Sequence, residues 1–145
     1  MKAAIRLLLV DDNPADVGLA REALARSSHH SAIETVEDGA EALAFLDRRG
    51  KYAQALQPDL VILDLSLPKR NGLAVLAAMK AGPRLRHIPV VVFSSSRLSQ
   101  DISRSYELGA SSYVSKPGNL TEFFSAVKSI EDFWCDIASV PPRGE

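Results

Sequence analysis

The stretch that decides the fold is Pro58-Asp59-Leu60-Val61-Ile62-Leu63-Asp64-Leu65-Ser66-Leu67-Pro68. It contains a run of four consecutive apolar residues, Leu60 to Leu63, and an acidic side chain, Asp64, follows the run directly. A strand that is apolar at consecutive positions is buried on both faces, which is typical of a parallel sheet covered by helices on each side. The stretch therefore predicts a central strand of an α/β protein with a charge at its carboxyl end.

Strands and helices alternate along the rest of the chain in the same way. The predicted strands are residues 5–10, 32–36, 60–63, 90–93 and 112–114. The predicted helices are residues 14–28, a segment beginning after residue 38, and residues 72–80, 99–108 and 120–137. Five such units predict a flavodoxin-like, doubly wound, five-stranded parallel sheet of strand order 2-1-3-4-5 with five helices. In that order, ligands bind beyond the carboxyl ends of strands 1 and 3.

Two helix starts carry clear capping signals. Asn13 is predicted to be an N-cap, followed by Pro14 at the first helical position and by Asp16 in the first turn. Asp38 and Glu41 have the spacing of a capping box with Asp as the cap.

Composition limits the class of protein. The chain has 145 residues, 46% of them hydrophobic and 24% charged. This predicts one domain over residues 1–140 and a disordered tail over residues 141–145. The formal charge is −1 and the basic residues are scattered, so no nucleic-acid footprint is expected. The sequence predicts no signal peptide and no membrane span, and it contains a single cysteine, Cys135. Together these features favour a cytoplasmic location.

Three carboxylates are predicted to meet at one edge of the sheet. Asp11 and Asp12 follow strand 1, and Asp64 follows its neighbour, strand 3. Such clustering is costly unless a cation neutralises it, and hard oxygen ligands suit Mg²⁺. The alternative is that Asp11 and Asp12 simply cap the first helix.

A hydroxyl and an ammonium complete the set. Ser94 follows strand 4 and Lys116 follows strand 5, so both are expected at the same edge. Together they can bind the oxygens of a phosphoryl group carried by Asp64. Either residue alone would be unremarkable, and the inference depends on all five meeting at one edge.

This ordered set resembles the receiver domains of two-component response regulators. The resemblance covers residues 4–137, almost the whole chain. The matching elements are Asp11-Asp12, the stretch from Asp64 to Pro68 continuing to Gly72, then Ser94, Gly109-Ala110, Tyr113 and Lys116-Pro117.

The resemblance implies a role for each site residue. Asp64 would be the nucleophile toward a phosphohistidine and would become an acyl phosphate. Asp12 and Asp64 would bind Mg²⁺ directly, with the backbone carbonyl of Ser66 as a third ligand. Asp11 would act through a metal-bound water, and Lys116 would pair with the phosphoryl oxygens.

The resemblance also implies a switch. Ser94 would bond a phosphoryl oxygen and move inward, and Tyr113 would follow by changing rotamer. The bond between Lys116 and Pro117 is expected to be cis, which would direct the lysine. Such a protein has self-phosphorylation and autodephosphorylation chemistry but no independent substrate, so it is not an enzyme in the usual sense.

A narrower resemblance concerns the partner. The stretches Asp12-Asn13-Pro14-Ala15-Asp16 and Ile130-Glu131-Asp132-Phe133-Trp134 resemble receivers that stand alone and pair with phytochrome-type histidine kinases. The resemblance therefore implies a sensor histidine kinase as partner, with output through protein contacts.

The last predicted helix suggests how the output is made. Its apolar stripe extends late, and Phe133 and Trp134 lie where the sheet beneath is expected to end. We expect them to form a homodimer interface together with the face of helix 4 and strand 5. The alternative is that both fold back as a lid on their own domain. The full stripe is Phe123, Val127, Ile130, Trp134 and Ile137.

Three rival classes remain. A phosphohydrolase of the haloacid-dehalogenase type would carry a second acid two residues after Asp64, where this chain has Ser66. A nucleotide- or flavin-binding module would need a phosphate-binding glycine motif, which the sequence lacks. A degenerate receiver is disfavoured because all five site positions hold competent residues.

Overall fold

A computed structural model describes residues 4–142. Five parallel strands form one sheet in the order β2-β1-β3-β4-β5, as predicted. The strands are β1 Arg6–Val10, β2 Ala32–Val36, β3 Leu60–Leu63, β4 Val90–Ser94 and β5 Ser112–Ser115. The helices are α1 Pro14–Ala25, α2 Gly39–Leu46, α3 Gly72–Ala81, α4 Ser99–Glu107 and α5 Leu120–Asp132. Single 3-10 turns lie at Gly50–Tyr52 and Leu85–His87, and a π-helical turn extends α5 over Phe133–Ile137.

The sheet is buried on both faces, which confirms the interpretation of the apolar strands. On one face Leu8, Val61 and Val92 belong to an apolar cluster shared with α2 and α3. On the other face Leu9 and Ile62 belong to a cluster shared with α1 and α5. Fully burying one such side chain stabilises the fold by about 1.5–3 kcal/mol, so the central strands anchor both layers.

The two predicted caps start their helices as expected. The Asn13 side chain accepts hydrogen bonds from the backbone amides of Ala15 and Asp16, at 3.0 and 3.2 Å. The Asp38 side chain accepts one from the amide of Glu41 at 2.7 Å. Because both caps follow carboxyl ends of strands, they orient α1 and α2 away from the same edge of the sheet.

The end of α5 departs from the predicted stripe. Phe123, Val127 and Ile130 are buried, but Ile137 is 73% exposed. The π-helical turn inserts an extra residue into the helical repeat and rotates the later side chains, so Cys135 takes the next buried position.

The predicted tail, residues 141–145, lies only partly within the described residues. Residues 143–145 lie outside the described residues, and Pro141 and Pro142 lie in no helix or strand. Within residues 4–142, no helix has the length and apolar content needed to cross a membrane.

Candidate functional site

The register of the central strands brings two of the predicted acids side by side. Val10 lies opposite Leu63, so Asp11 and Asp64 are the next residues of neighbouring strands. The Asp64 amide donates to the Val10 carbonyl at 2.9 Å, which extends the ladder by one more bond. Both acids are buried, at 2% and 6% exposure. Parallel strands thus hold two carboxylates at one edge, where ordinary surface solvation is lost.

Lys116 enters this edge from β5. Its amide donates to the carbonyl of Ser94 at 2.8 Å, so the backbone of β4 positions it. Its Nζ lies 2.7 Å from Asp11, 2.8 Å from Asp16 and 2.9 Å from Asp64. An ammonium has three donors, and here each one has a carboxylate acceptor.

Burial and pairing act in opposite directions on these groups. Burial raises the pKa of Asp11, opposed by hydrogen bonds from Lys116 and from the Asn13 amide. Burial disfavours the Lys116 ammonium, but hydrogen bonds to Asp11, Asp16 and Asp64 outweigh it and hold the pKa of Lys116 well above its usual range. Lys116 is therefore a permanent cation at the centre of an acidic site.

The donor set at this edge fits a hard divalent cation. Asp11, Asp12 and Asp64 each offer a carboxylate oxygen, and these oxygens all lie within 4.8 Å of one another. Asp12 is exposed, so the set opens to solvent on that side. Oxygen ligands from a few carboxylates, with room for waters, match what Mg²⁺ and similar ions require. The Ser66 amide donates to the Asp64 side chain at 3.3 Å, which places Ser66 beside the set.

The two predicted switch residues both bond to the backbone of one residue, Ser96. Ser94 is 1% exposed, and its hydroxyl accepts a 3.3 Å hydrogen bond from the amide of Ser96. The Tyr113 hydroxyl donates to the carbonyl of Ser96 at 2.8 Å. Ser96 also donates through its own hydroxyl to Asp101 at 2.5 Å, which ties this loop to the first turn of α4. The loop after β4 therefore links Ser94, Tyr113 and α4.

The predicted cis bond before Pro117 is wrong, because no cis peptide bond occurs among residues 4–142. An X–Pro bond prefers trans by only about 0.5–1 kcal/mol, so the dipeptide alone does not decide the isomer. The direction of Lys116 comes instead from its bond to Ser94 and its three carboxylates.

One residue of the site, Asp16, was not expected there from the sequence. It was assigned only to the first turn of α1, where its charge suits the helix N-terminus. In the structure its carboxylate contacts Lys116 as closely as Asp11 and Asp64 do. The signal that could have found it is its place in the first turn of a helix that begins at the site.

The two aromatic residues predicted to form an interface differ in exposure. Phe133 is 45% exposed, whereas Trp134 is half-buried and packs against the cluster shared by α1 and α5. Their rings meet edge to face with centroids 5.3 Å apart. Trp134 thus folds partly onto its own domain and Phe133 faces outward.

The fold and the site define a doubly wound α/β protein with an acidic, lysine-centred edge. The chain belongs to the response regulator receiver domain family, whose family model matches residues 7–128. Membership in this family excludes two of the alternative classes, the haloacid-dehalogenase-type phosphohydrolase and the nucleotide- or flavin-binding module.

Similar proteins extend over nearly the whole chain. The Response regulator Rcp1 of Synechocystis is 41% identical over 135 residues, covering 93% of this chain and 92% of that protein. The phosphorylated cyanobacterial phytochrome response regulator RcpA has 47% identity and a TM-score of 0.93, covering 97% of this chain and 100% of that one. The Mn²⁺-bound form of Rcp1 has 40% identity and a TM-score of 0.91, covering 95% and 99%.

Proposed function

We propose that Asp64 accepts a phosphoryl group from the phosphohistidine of a sensor kinase. An Asp64 carboxylate oxygen attacks phosphorus, the new O–P bond forms, and the P–N bond to the imidazole breaks with its electron pair returning to nitrogen. The observation that carries this proposal is the buried contact of Lys116 with Asp64 at 2.9 Å, in a chain of the receiver family. The ammonium supplies charge where the incoming phosphoryl oxygens must sit.

The metal in this proposal is Mg²⁺. Asp12 and Asp64 would bind it directly, the Ser66 backbone carbonyl would be a third ligand, and Asp11 would act through a bound water. When bound, the ion supplies positive charge that neutralises the transferring phosphoryl group. The convergence of three carboxylate oxygens supports the site, and a Mn²⁺-bound relative supports a divalent ion.

Labelling with acetyl phosphate and a divalent ion tests the phosphoacceptor. The chain should form an acid-stable, base-labile acyl phosphate with Mg²⁺ and none in its absence. Asp64→Asn should abolish the label. Asp59→Asn is the matched control, because Asp59 is a buried acid at the opposite end of β3 that accepts from the Arg6 amide. Label retained in Asp64→Asn would overturn the proposal.

We infer that the switch passes through the backbone of Ser96. Ser94 would turn its hydroxyl from the Ser96 amide to a phosphoryl oxygen, which frees the backbone of Ser96 to move. Tyr113, bonded to the carbonyl of the same residue, would then change rotamer. Phosphorylation would thus shift the population of the α4–β5 face through contacts made in one state only.

The partner we propose is a phytochrome-type histidine kinase, in the cytoplasm. The support is that relatives matched along nearly their full length are phytochrome response regulators. Purified phytochrome kinase, once autophosphorylated, should pass its label to this chain much faster than an unrelated histidine kinase does. Equal rates from both would refute this choice of partner.

We further propose a homodimer formed by the end of α5 and the α4–β5 face. Large apolar side chains are exposed there, including Phe133, Tyr106 and Leu98 at 45%, 50% and 59%. Sedimentation should show a dimer that Phe133→Ala weakens about tenfold or more. Leu56→Ala, which trims a side chain 62% exposed in the connection before β3 and outside the proposed interface, should leave the dimer intact. A monomeric wild type, phosphorylated or not, would exclude the dimer.

A further inference from the structure

We propose that Asp16 is the carboxylate that Lys116 exchanges for the phosphoryl group, so that Asp16 sets how readily the site is phosphorylated. This rests on the proposed function of Asp64 as phosphoacceptor. The observation behind it is a lysine whose three donors are all occupied in the unphosphorylated site. A phosphoryl oxygen can bond Lys116 only after one of these carboxylates leaves.

Asp16 is the partner that can leave at the lowest cost. Its side chain is 23% exposed, against 3% for Asp11 and 8% for Asp64. Asp11 also accepts from the Asn13 amide at 2.9 Å, and Asp64 from the Ser66 amide at 3.3 Å. Within residues 4–142, the Asp16 carboxylate has no hydrogen-bond partner other than Lys116.

The surroundings of Asp16 favour its release as an anion. It lies in the first turn of α1, whose N-terminus stabilises negative charge and reaches water on the exposed side. The backbone there is held by Pro14 and by the two bonds to the Asn13 cap. The exchange therefore needs a new side-chain rotamer of Asp16 and no movement of the helix.

In the resting site, Asp16 weakens the attraction of Lys116 for an incoming dianionic phosphodonor. Its carboxylate and that of Asp64 both lie within 3 Å of one nitrogen, so they are no more than about 6 Å apart. Removing one unit charge at that separation, in a partly solvated site, changes an encounter with a phosphoryl dianion by about tenfold. Asp16 is thus a positioning residue that opposes premature phosphorylation.

The test is the rate of labelling by limiting acetyl phosphate at saturating Mg²⁺. Asp16→Asn should be labelled about tenfold faster than wild type. Asp16→Glu, which restores the charge, should return toward the wild-type rate. Glu22→Gln is the matched control, because it removes one negative charge from the same helix at a residue paired with Arg26 in solvent. It should match wild type.

A direct readout comes from the complex with beryllium fluoride and Mg²⁺, which imitates the phosphorylated site. A crystal structure of that complex should show the Asp16 carboxylate released from Lys116. The proposal is overturned if Asp16→Asn is labelled at or below the wild-type rate, or if Asp16 stays on Lys116 in the complex. Loss of label in Asp64→Asn, measured alongside, separates this result from any failure of the proposed phosphoacceptor.

Discussion

Replacing Lys116 by methionine should destabilise the protein strongly and in a pH-dependent way. The change keeps a side chain of similar length but leaves Asp11 and Asp64 buried beside each other without their cation. Breaking a buried ion pair from one side costs about 3–5 kcal/mol. The site can limit that cost by protonating Asp11, whose pKa burial already raises.

Uptake of this proton sets both the maximum loss of folding free energy in Lys116→Met and the way that loss depends on pH. Protonating a carboxyl with an ordinary pKa near 3.9 costs about 4 kcal/mol at pH 7 and about 1.5 kcal/mol at pH 5. We therefore expect a loss of about 3–4 kcal/mol at pH 7 that shrinks to about 1.5 kcal/mol at pH 5. The sign follows because an acid whose folded-state pKa is raised destabilises the fold as pH rises through that pKa.

Urea unfolding without divalent ions measures this effect. With a slope of about 2 kcal/mol per molar urea, the midpoint should fall by about 1.5–2 M at pH 7. Lys128→Met is the control, because Lys128 is 55% exposed and makes one 3.4 Å pair with Asp132. Its midpoint should change little. Equal losses in the two variants, or a loss for Lys116→Met that does not shrink at pH 5, would refute the reasoning.

Two further predictions concern packing. A Cβ at Gly72 would lie 2.3 Å from the Asp64 carbonyl oxygen and 2.6 Å from Leu65 Cα, so Gly72→Ala should lower the free energy of unfolding in urea by about 3 kcal/mol. Gly18→Ala is the control, because Gly18 has open space around it, and it should be neutral or stabilising. A harmless Gly72→Ala would contradict the close approach. Cys135 is 2% exposed, and burial raises the pKa of its thiol. At pH 8 this thiol should react with a disulfide reagent at least about tenfold more slowly in the folded than in the unfolded protein. Equal rates would argue against its burial.

The strand order and the meeting of distant acids could be foreseen because they depend on local patterns. Runs of consecutive apolar residues predict buried parallel strands, and the rules of α/β winding then order them. Once β1 and β3 are neighbours, Asp11 and Asp64 must share an edge, since each directly follows its strand. Capping residues such as Asn13 and Asp38 act within four residues and were equally predictable.

Features that depend on how elements pack could not be foreseen. A constant helical repeat predicts that the apolar stripe of α5 continues to Ile137. The π-helical turn at Phe133–Ile137 instead buries Cys135 and exposes Ile137. The isomer before Pro117 differs by too small a free energy for sequence to decide.

The sequence by itself determined the fold and five residues of its acidic edge, because apolar runs and strand ends are local in the chain. Only the tertiary structure decided that Asp16 joins them. Its contact with Lys116 spans 100 positions and depends on where α1 begins relative to β5. The stretch from Leu60 to Asp64 therefore specifies where the site lies, whereas the packing of α1 specifies which carboxylate holds the third donor of its lysine.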